Sequence, residues 1–453
     1  MRTPLHVAAL GLLASLAVPL LAQEQPDLPA GVGLREFTLA QPVPGDGGGI
    51  FVHDLKGDGL LGFVVTSEGH IGAYDHSGQV LWTRECPIAL WPFTHHPSAI
   101  AGDLDGDGAE EIAYGTGPRA IVVLDAATGV EERSLTLPRD AVAMAVANLR
   151  GLGDRDILLQ YSQTHIGAIA GNSGEVLWET EEYRGIEHSP LRQADLDGDG
   201  LDEVAGASII DHDGTRMDAW DLGDVYRGMD SFVIADVVPG LPLEVVLAEQ
   251  NGSRSHTDVV NADRIVFQAL NPWNWEDPDK VAVGDFDPSR PGLEVFNRSS
   301  GGDGTTPRSH EEPYVNEEAP WVLSATGEVL AKYYVNDAKP EWWTGHGLEE
   351  VCRIDWDGDA ADEIAAKERH KSGAGAVVDP LTGAFRVVFP GKAVRLYVVD
   401  LEGDSREEVV TVDESGTVRV FSDAEPSRGP ARPSPWDQQH YRRQKQNWNY
   451  YSP

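Results

Sequence analysis

Short apolar runs rich in Val, Ile, Leu and Ala recur along the chain, each cut off by an acidic, glycine-containing turn. No long stretch shows helical periodicity, and the β-branched and aromatic content of the runs favours strands. A repeating unit emerges: apolar strand, acidic loop, second strand opening on Glu, tight turn, third strand, Gly, and often Leu-Trp. The loops begin at Asp54, Asp103, Asn148, Asp195, Asp236, Asp285, Asp355 and Asp400, at spacings of 49, 45, 47, 41, 49, 70 and 45 residues. A period near 45 with about four short strands predicts a propeller blade. Eight units predict an all-β, eight-bladed β-propeller over residues 34–423, each blade covered by two neighbours. An open solenoid is the competing arrangement, but it needs polar caps, and the repeats show none.

The loops carry the first candidate chemistry. Asp103, Asp105, Asp107 and Glu111 stand at positions 1, 3, 5 and 9 of one loop. Asp195, Asp197, Asp199 and Glu203 repeat the spacing, as do Asp355, Asp357, Asp359 and Glu363. Asp400, Glu402, Asp404 and Glu408 repeat it with one Asp→Glu exchange. Hard carboxylate oxygens aimed at one point suit Ca²⁺. Without an ion, two carboxylates about 4 Å apart repel by roughly 4 kcal/mol at an effective dielectric near 20. The loops at Asp54, Asn148 and Asp236 have lost ligands. There Lys56 and Arg150 offer a cation in place of a metal. Asp285, Asp287 and Glu294 form a longer variant. A structural role for the ions is expected.

Net charge is −39, which disfavours nucleic acid and anionic membranes as partners. Residues 361–453 nevertheless carry 13 of the 35 Lys and Arg, a candidate patch for an anionic ligand. Residues 1–22 read as a secretory signal, with Arg2 before an apolar run, followed by a leader over 23–33. That run is too short for a comfortable membrane span. A secreted monomer is expected. Cys86 and Cys352 lie far apart, and a large repeat fold needs no disulfide between them. A polar insertion over 299–320, aromatic positions Trp273, Trp275, Trp342 and Trp343, and His346 and His370 are further candidates near a site. The tail, 424–453, mixes basic, aromatic and amide side chains and is expected to fold back on the ring.

Acidic loops of this kind are shared with integrin-like FG-GAP propellers. The phrases ADLDGDGLDEVAGASIIDHDGT, VAVGDFDPSRPGLEVFN, IDWDGDAADEI and VVDLEGDSREEVV are more telling. In sequence and order they resemble polysaccharide lyase family 11, the rhamnogalacturonan lyases. The resemblance spans roughly residues 190–453 and implies an eight-bladed, Ca²⁺-binding propeller. It implies β-elimination at a uronic acid of an anionic polysaccharide such as rhamnogalacturonan I. It suggests Lys392, Tyr450 and Lys280 as catalytic residues; Gly391 beside Lys392, the nearby cation Arg395, and Asn447, suited to orient a sugar hydroxyl, are expected at the substrate. There are departures. The family usually has a small β-domain before its propeller. Its Gly-His-Gly-Asp phrase reads Arg227-Gly228-Met229-Asp230 here, and its terminal Trp-Gln-Asn-x-x-Tyr phrase reads Lys445-Gln446-Asn447-Trp448-Asn449-Tyr450. The alternative function is a non-catalytic, Ca²⁺-stabilised propeller that binds glycans or another exported protein.

Overall fold

A computed structural model describes residues 27–447, apart from 44–46, 86–95, 187–188, 224–228, 250–255, 274–277, 300–318, 341–342, 344–347, 349, 369–372 and 431. Cys86, Trp275, Trp342, His346, His370, Tyr450 and most of the 299–320 insertion therefore lie outside the described residues, as do residues 1–22. Among the described residues, eight antiparallel sheets follow one another along the chain as the blades of a propeller. Seven have four strands. The fourth blade has three: Arg192–Ala194, Glu203–Ala205 and Ile209–Ile210. After Ile210 the chain turns tightly, and Arg216 pairs with its near neighbour Asp218 in place of an outer strand.

The ring is closed by its first strand. Val32–Thr38 pairs with Thr417–Asp423 in continuous register, so the last blade takes its outermost strand from the start of the chain. Inner strands are buried along their whole length, as in Ala143–Ala147 and Arg395–Val399. Outer strands are mostly exposed or partly buried, as in Glu131–Thr136, where only Leu135 is buried. That difference explains why the central runs read as uniformly apolar and the peripheral ones as mixed.

Adjacent blades interlock through one recurring contact. In five of the eight blades an aromatic side chain on or just after the outer strand packs on the glycine of the next blade's outer turn. Trp82 lies against Gly129, Trp178 against Gly214, Phe267 against Gly327 and Tyr333 against Gly383. Phe37, from the closing strand, lies against Gly78 of the first blade. A Cβ on Gly129 would sit 2.5 Å from the Trp82 ring, so the turn needs glycine for space as well as for its φ of 69°. The Trp82 indole also donates to the Ala126 carbonyl at 2.8 Å. The Leu-Trp phrases are thus inter-blade contacts. Trp82→Ala should cost about 3 kcal/mol in denaturant unfolding, a typical value for a buried Trp truncation.

The two ends of the ring differ. One end holds all the acidic loops; the other holds the turns between second and third strands and the connections between blades. The tail crosses the acidic-loop end and then enters the central channel as the helix Gln439–Gln446. Its sequence, QHYRRQKQ, has no apolar stripe, which is why periodicity does not reveal it. It is held by polar contacts instead. The Gln444 side chain accepts from Ile234 N at 2.8 Å and donates to Ile234 O at 2.9 Å, satisfying the open edge of an inner strand. The Gln446 side chain accepts from Ala101 N, and Tyr397 Oη donates to the Lys445 carbonyl. Arg443 anchors the helix on Asp154 and Asp202 while only 3 % exposed. Arg443→Met leaves those carboxylates without their cation and should cost about 3–5 kcal/mol, readable as a lowered midpoint in urea.

Candidate functional site

The acidic loops are built alike. In the loop at Asp103, one oxygen of Asp103, Asp105 and Asp107 accepts a backbone N–H, from Gly106, Asp107 and Ala109 respectively. Glu111 reaches back and accepts from Leu104 N at 2.7 Å. The second oxygen of Asp105 accepts from Arg133 at 2.9 Å, while Arg155 stands 3.7 Å from that of Asp103. Ligand atoms of Asp103, Asp105, Asp107 and Glu111 lie within 4.8 Å of one another. Those of Asp195, Asp197 and Asp199 converge likewise, as do Asp357, Asp359 and Glu363. Among the described residues, the loop at Asp400 does not gather its four carboxylates as closely.

The position-9 glutamates are the most informative. Glu111 and Glu203 are fully buried, yet Oε1 of each has no hydrogen-bond partner. A buried, orphaned carboxylate oxygen is costly. Burial, opposed by the Leu104 N–H, pushes the Glu111 carboxyl up to about 7. Burial likewise pushes Glu203, Glu363 and Glu408 up to about 8. A divalent cation at the loop centre would satisfy these oxygens, so the residues fit Ca²⁺. The degenerate loop at Asn148 is an internal control. There Arg150 bonds the position-9 residue Asp156 at 2.6 Å, so a guanidinium supplies the missing charge. The loop at Asp355 is intermediate, because Arg432 of the tail bonds its Asp355 and Arg428 its Asp357, both at 2.6 Å. Glu294 Oε1 and Asp285 Oδ1 are also buried without a partner in the longer loop.

The acid just before position 9 is a feature that spacing alone did not flag. Asp202, Asp362 and Glu407 are buried and accept from the backbone N–H of Asn148, Asp285 and Asp355, each in the preceding blade. The doubled acids in the repeats therefore divide the work: one serves the loop centre, and the other latches neighbouring blades. Arg353, Arg432 and Arg443 neutralise the latches.

A second cluster lies at the opposite end of the ring. Lys280, Glu350 and Arg395 each stand five residues before a loop-opening Asp, in three successive blades. Strand pairing sets Lys280 opposite Arg298 and Glu350 opposite Lys367. All five are fully buried. Lys367 Nζ lies 3.9 Å from Glu350 Oε1. Burial pushes the Glu350 carboxyl up to about 7, against the pull of Lys367, Arg395 and Lys280. Three buried cations thus act on one carboxylate, with Arg298 beside Lys280 across the strand pair.

The expected site residues fall as follows. Lys280 and Arg395 are brought together around Glu350. The Arg395 guanidinium is spent on the backbone carbonyls of Gly47, Gly48 and Val394. Lys392 is exposed on the connection leading into the Arg395 strand, at the same end of the ring. Gly391 adopts a φ of 89° beside Arg419. Asn447 is buried where the channel helix reaches this end, donating to the Leu191 carbonyl at 2.9 Å. It also bonds His96, whose imidazole burial holds down at about 4. Tyr450, three residues further on, is outside the described residues. Trp343 is buried in the core between blades, whereas Trp273 is half-exposed with the Lys332 ammonium 4.7 Å from its ring. Cys352 is a buried free thiol. Glu350, Lys367 and Arg298 were not singled out from the sequence. The signal was there, since Glu350 and Arg395 share the repeat register of Lys280.

Comparison with known proteins agrees with this architecture. The family model described as rhamnogalacturonan lyase family 11, C-terminal domain, matches residues 172–451. The chain is 24 % identical over 438 residues to rhamnogalacturonan endolyase YesW of Bacillus subtilis (strain 168), covering 83 % of this chain and 64 % of that protein. It is 22 % identical to rhamnogalacturonan exolyase YesX of the same organism, covering 79 % of this chain and 65 % of that one. The chain thus spans just under two thirds of the length of these relatives. The crystal structure of YesX superposes with a TM-score of 0.68 at 20 % identity, covering 93 % of this chain and 81 % of that chain. A Bacillus licheniformis rhamnogalacturonan lyase superposes with a TM-score of 0.67 at 20 % identity and the same coverages. These likenesses establish a shared fold.

Proposed function

The chain belongs to rhamnogalacturonan lyase family 11, and on that footing we propose that it is a polysaccharide lyase cleaving a rhamnogalacturonan I-like pectin by β-elimination. The observation that carries this reading is the buried cluster of Lys280, Lys367 and Arg395 around Glu350. In a low-dielectric setting, the cations gathered there draw a uronate carboxylate to this end of the ring. Withdrawing charge from that carboxylate acidifies the neighbouring C5–H. Lys392, exposed on the rim, takes the C5 proton. The C4–O4 bond breaks, a C4=C5 double bond forms, and Tyr450 returns a proton to the departing oxygen. Lys280 and Arg395 act through the field of the cluster, and Gly391 lets the chain turn at Lys392. Asn447, anchored on the Leu191 carbonyl at this end of the ring, orients a sugar hydroxyl.

Ca²⁺ belongs at the loops of Asp103, Asp195, Asp355 and Asp400, held by their carboxylates. When bound, it supplies positive charge that ties each loop to its blade. The protein is exported and acts outside the cytoplasm. No described helix is long and apolar enough to cross a membrane.

The test is a substrate panel. Rhamnogalacturonan I should yield the ultraviolet absorbance of an unsaturated uronate faster than homogalacturonan, and a neutral polymer should yield none. Binding to these polymers with no new absorbance from any of them would favour the non-catalytic alternative.

A further inference from the structure

A cavity of about 40 Å³ lies beside the channel helix, lined by Arg192, Cys352, Arg353, Tyr441, Gln444 and Lys445 among others. Three of these side chains are cationic and none is acidic. Arg353 is matched, because Asp362 and Glu407 both bond it. Glu407 has nothing left for another cation: Arg353, Asp355 N, Trp436 and Tyr441 occupy its two oxygens. Lys445 is different. It is 5 % exposed, and its ammonium lies 5.6 and 5.4 Å from the ring centroids of Tyr397 and Tyr441. No carboxylate among the described residues forms an ion pair with it. Arg192, also deeply buried, stacks 5.2 Å over Phe232 and donates to the Gln444 side chain. The Cys352 thiol does not compensate, since burial pushes it up to about 12.

A buried ammonium with no ion pair among the described residues is expensive unless a counter-charge joins it. The cavity has room for a few water-sized occupants and is far too small for a sugar ring. We propose that the channel cavity lined by Lys445 and Arg192 binds a small monovalent anion of the halide class. This anion is separate from the uronate drawn to the Glu350 cluster. It neutralises the helix that plugs the ring, so it acts as a structural counter-ion.

The experiment uses the full-length, Ca²⁺-loaded protein at constant ionic strength. The thermal midpoint should be several degrees higher in sodium chloride than in sodium gluconate, and bromide should replace chloride. A crystal grown in bromide should show an anomalous peak in the cavity within hydrogen-bond reach of Lys445 Nζ. In Lys445→Met the halide increment should vanish. Its midpoint in gluconate should equal or exceed that of the unsubstituted protein, because no charge is left to neutralise. Equal midpoints in the two salts, an increment that survives in Lys445→Met, or a cavity filled by water alone would each overturn the proposal. Where Lys445→Met does not fold, the bromide peak decides the matter.

Discussion

Lys392→Ala should slow double-bond formation by about 10²- to 10⁴-fold, the usual worth of a positioned proton-transfer group. Its thermal midpoint should not move. Lys392 is exposed on a connection, and exposed substitutions usually stay within about 0.5 kcal/mol. Lys280→Met should behave differently. Lys280 is fully buried and helps to hold the charge of Glu350. Its loss should raise KM for uronate polymers and also lower stability. Initial-rate kinetics with melting curves separate the two. An active Lys392→Ala protein would remove that residue from the reaction. A Lys280→Met protein with normal KM would detach the buried cluster from substrate binding.

Stripping the protein with a chelator should lower its thermal midpoint steeply. Ions held at about 100 times their Kd stabilise by about 2.7 kcal/mol per site, so four sites would supply about 11 kcal/mol. The chelated protein should also acquire a pH dependence of definite sign. Without an ion, Glu111 titrates near 7 and Glu203, Glu363 and Glu408 near 8 in the folded state. The unfolded value is about 4.3. Below that value both states hold the proton and nothing is lost. As pH rises toward 8, the unfolded chain releases its protons first, so stability falls. Added Ca²⁺ should abolish this slope, because the bound ion favours the ionised carboxylates. Melting curves between pH 5 and 8, with and without Ca²⁺, make the check. A chelated protein whose midpoint is unchanged at every pH would contradict the role given to the loops.

Much of the fold was readable because a propeller repeats its physics. Each Asp-loop, each Glu that opens a second strand and each Leu-Trp phrase recurs at blade spacing, so weak local signals add up. Closure by Val32–Thr38 was not readable, because that strand is separated in sequence from the blade it completes. The helix Gln439–Gln446 was hidden for another reason: it meets the inner strands through amides and cations, with no apolar face. At the site, Lys280 and Arg395 were reachable through resemblance and register. Glu350 shared that register but was passed over, and Lys367 had no such signal, because a buried charged pair looks like ordinary polar sequence until strands of one blade bring it together. The second acid of each pair, such as Asp202, was masked by the one beside it.

The most direct test of the lyase reading is the mass of the products released from rhamnogalacturonan I. β-Elimination predicts oligosaccharides ending in an unsaturated uronate, each lighter by one water than the hydrolytic product, appearing together with the ultraviolet absorbance. Saturated ends of hydrolytic mass, or a polymer returned intact, would contradict it.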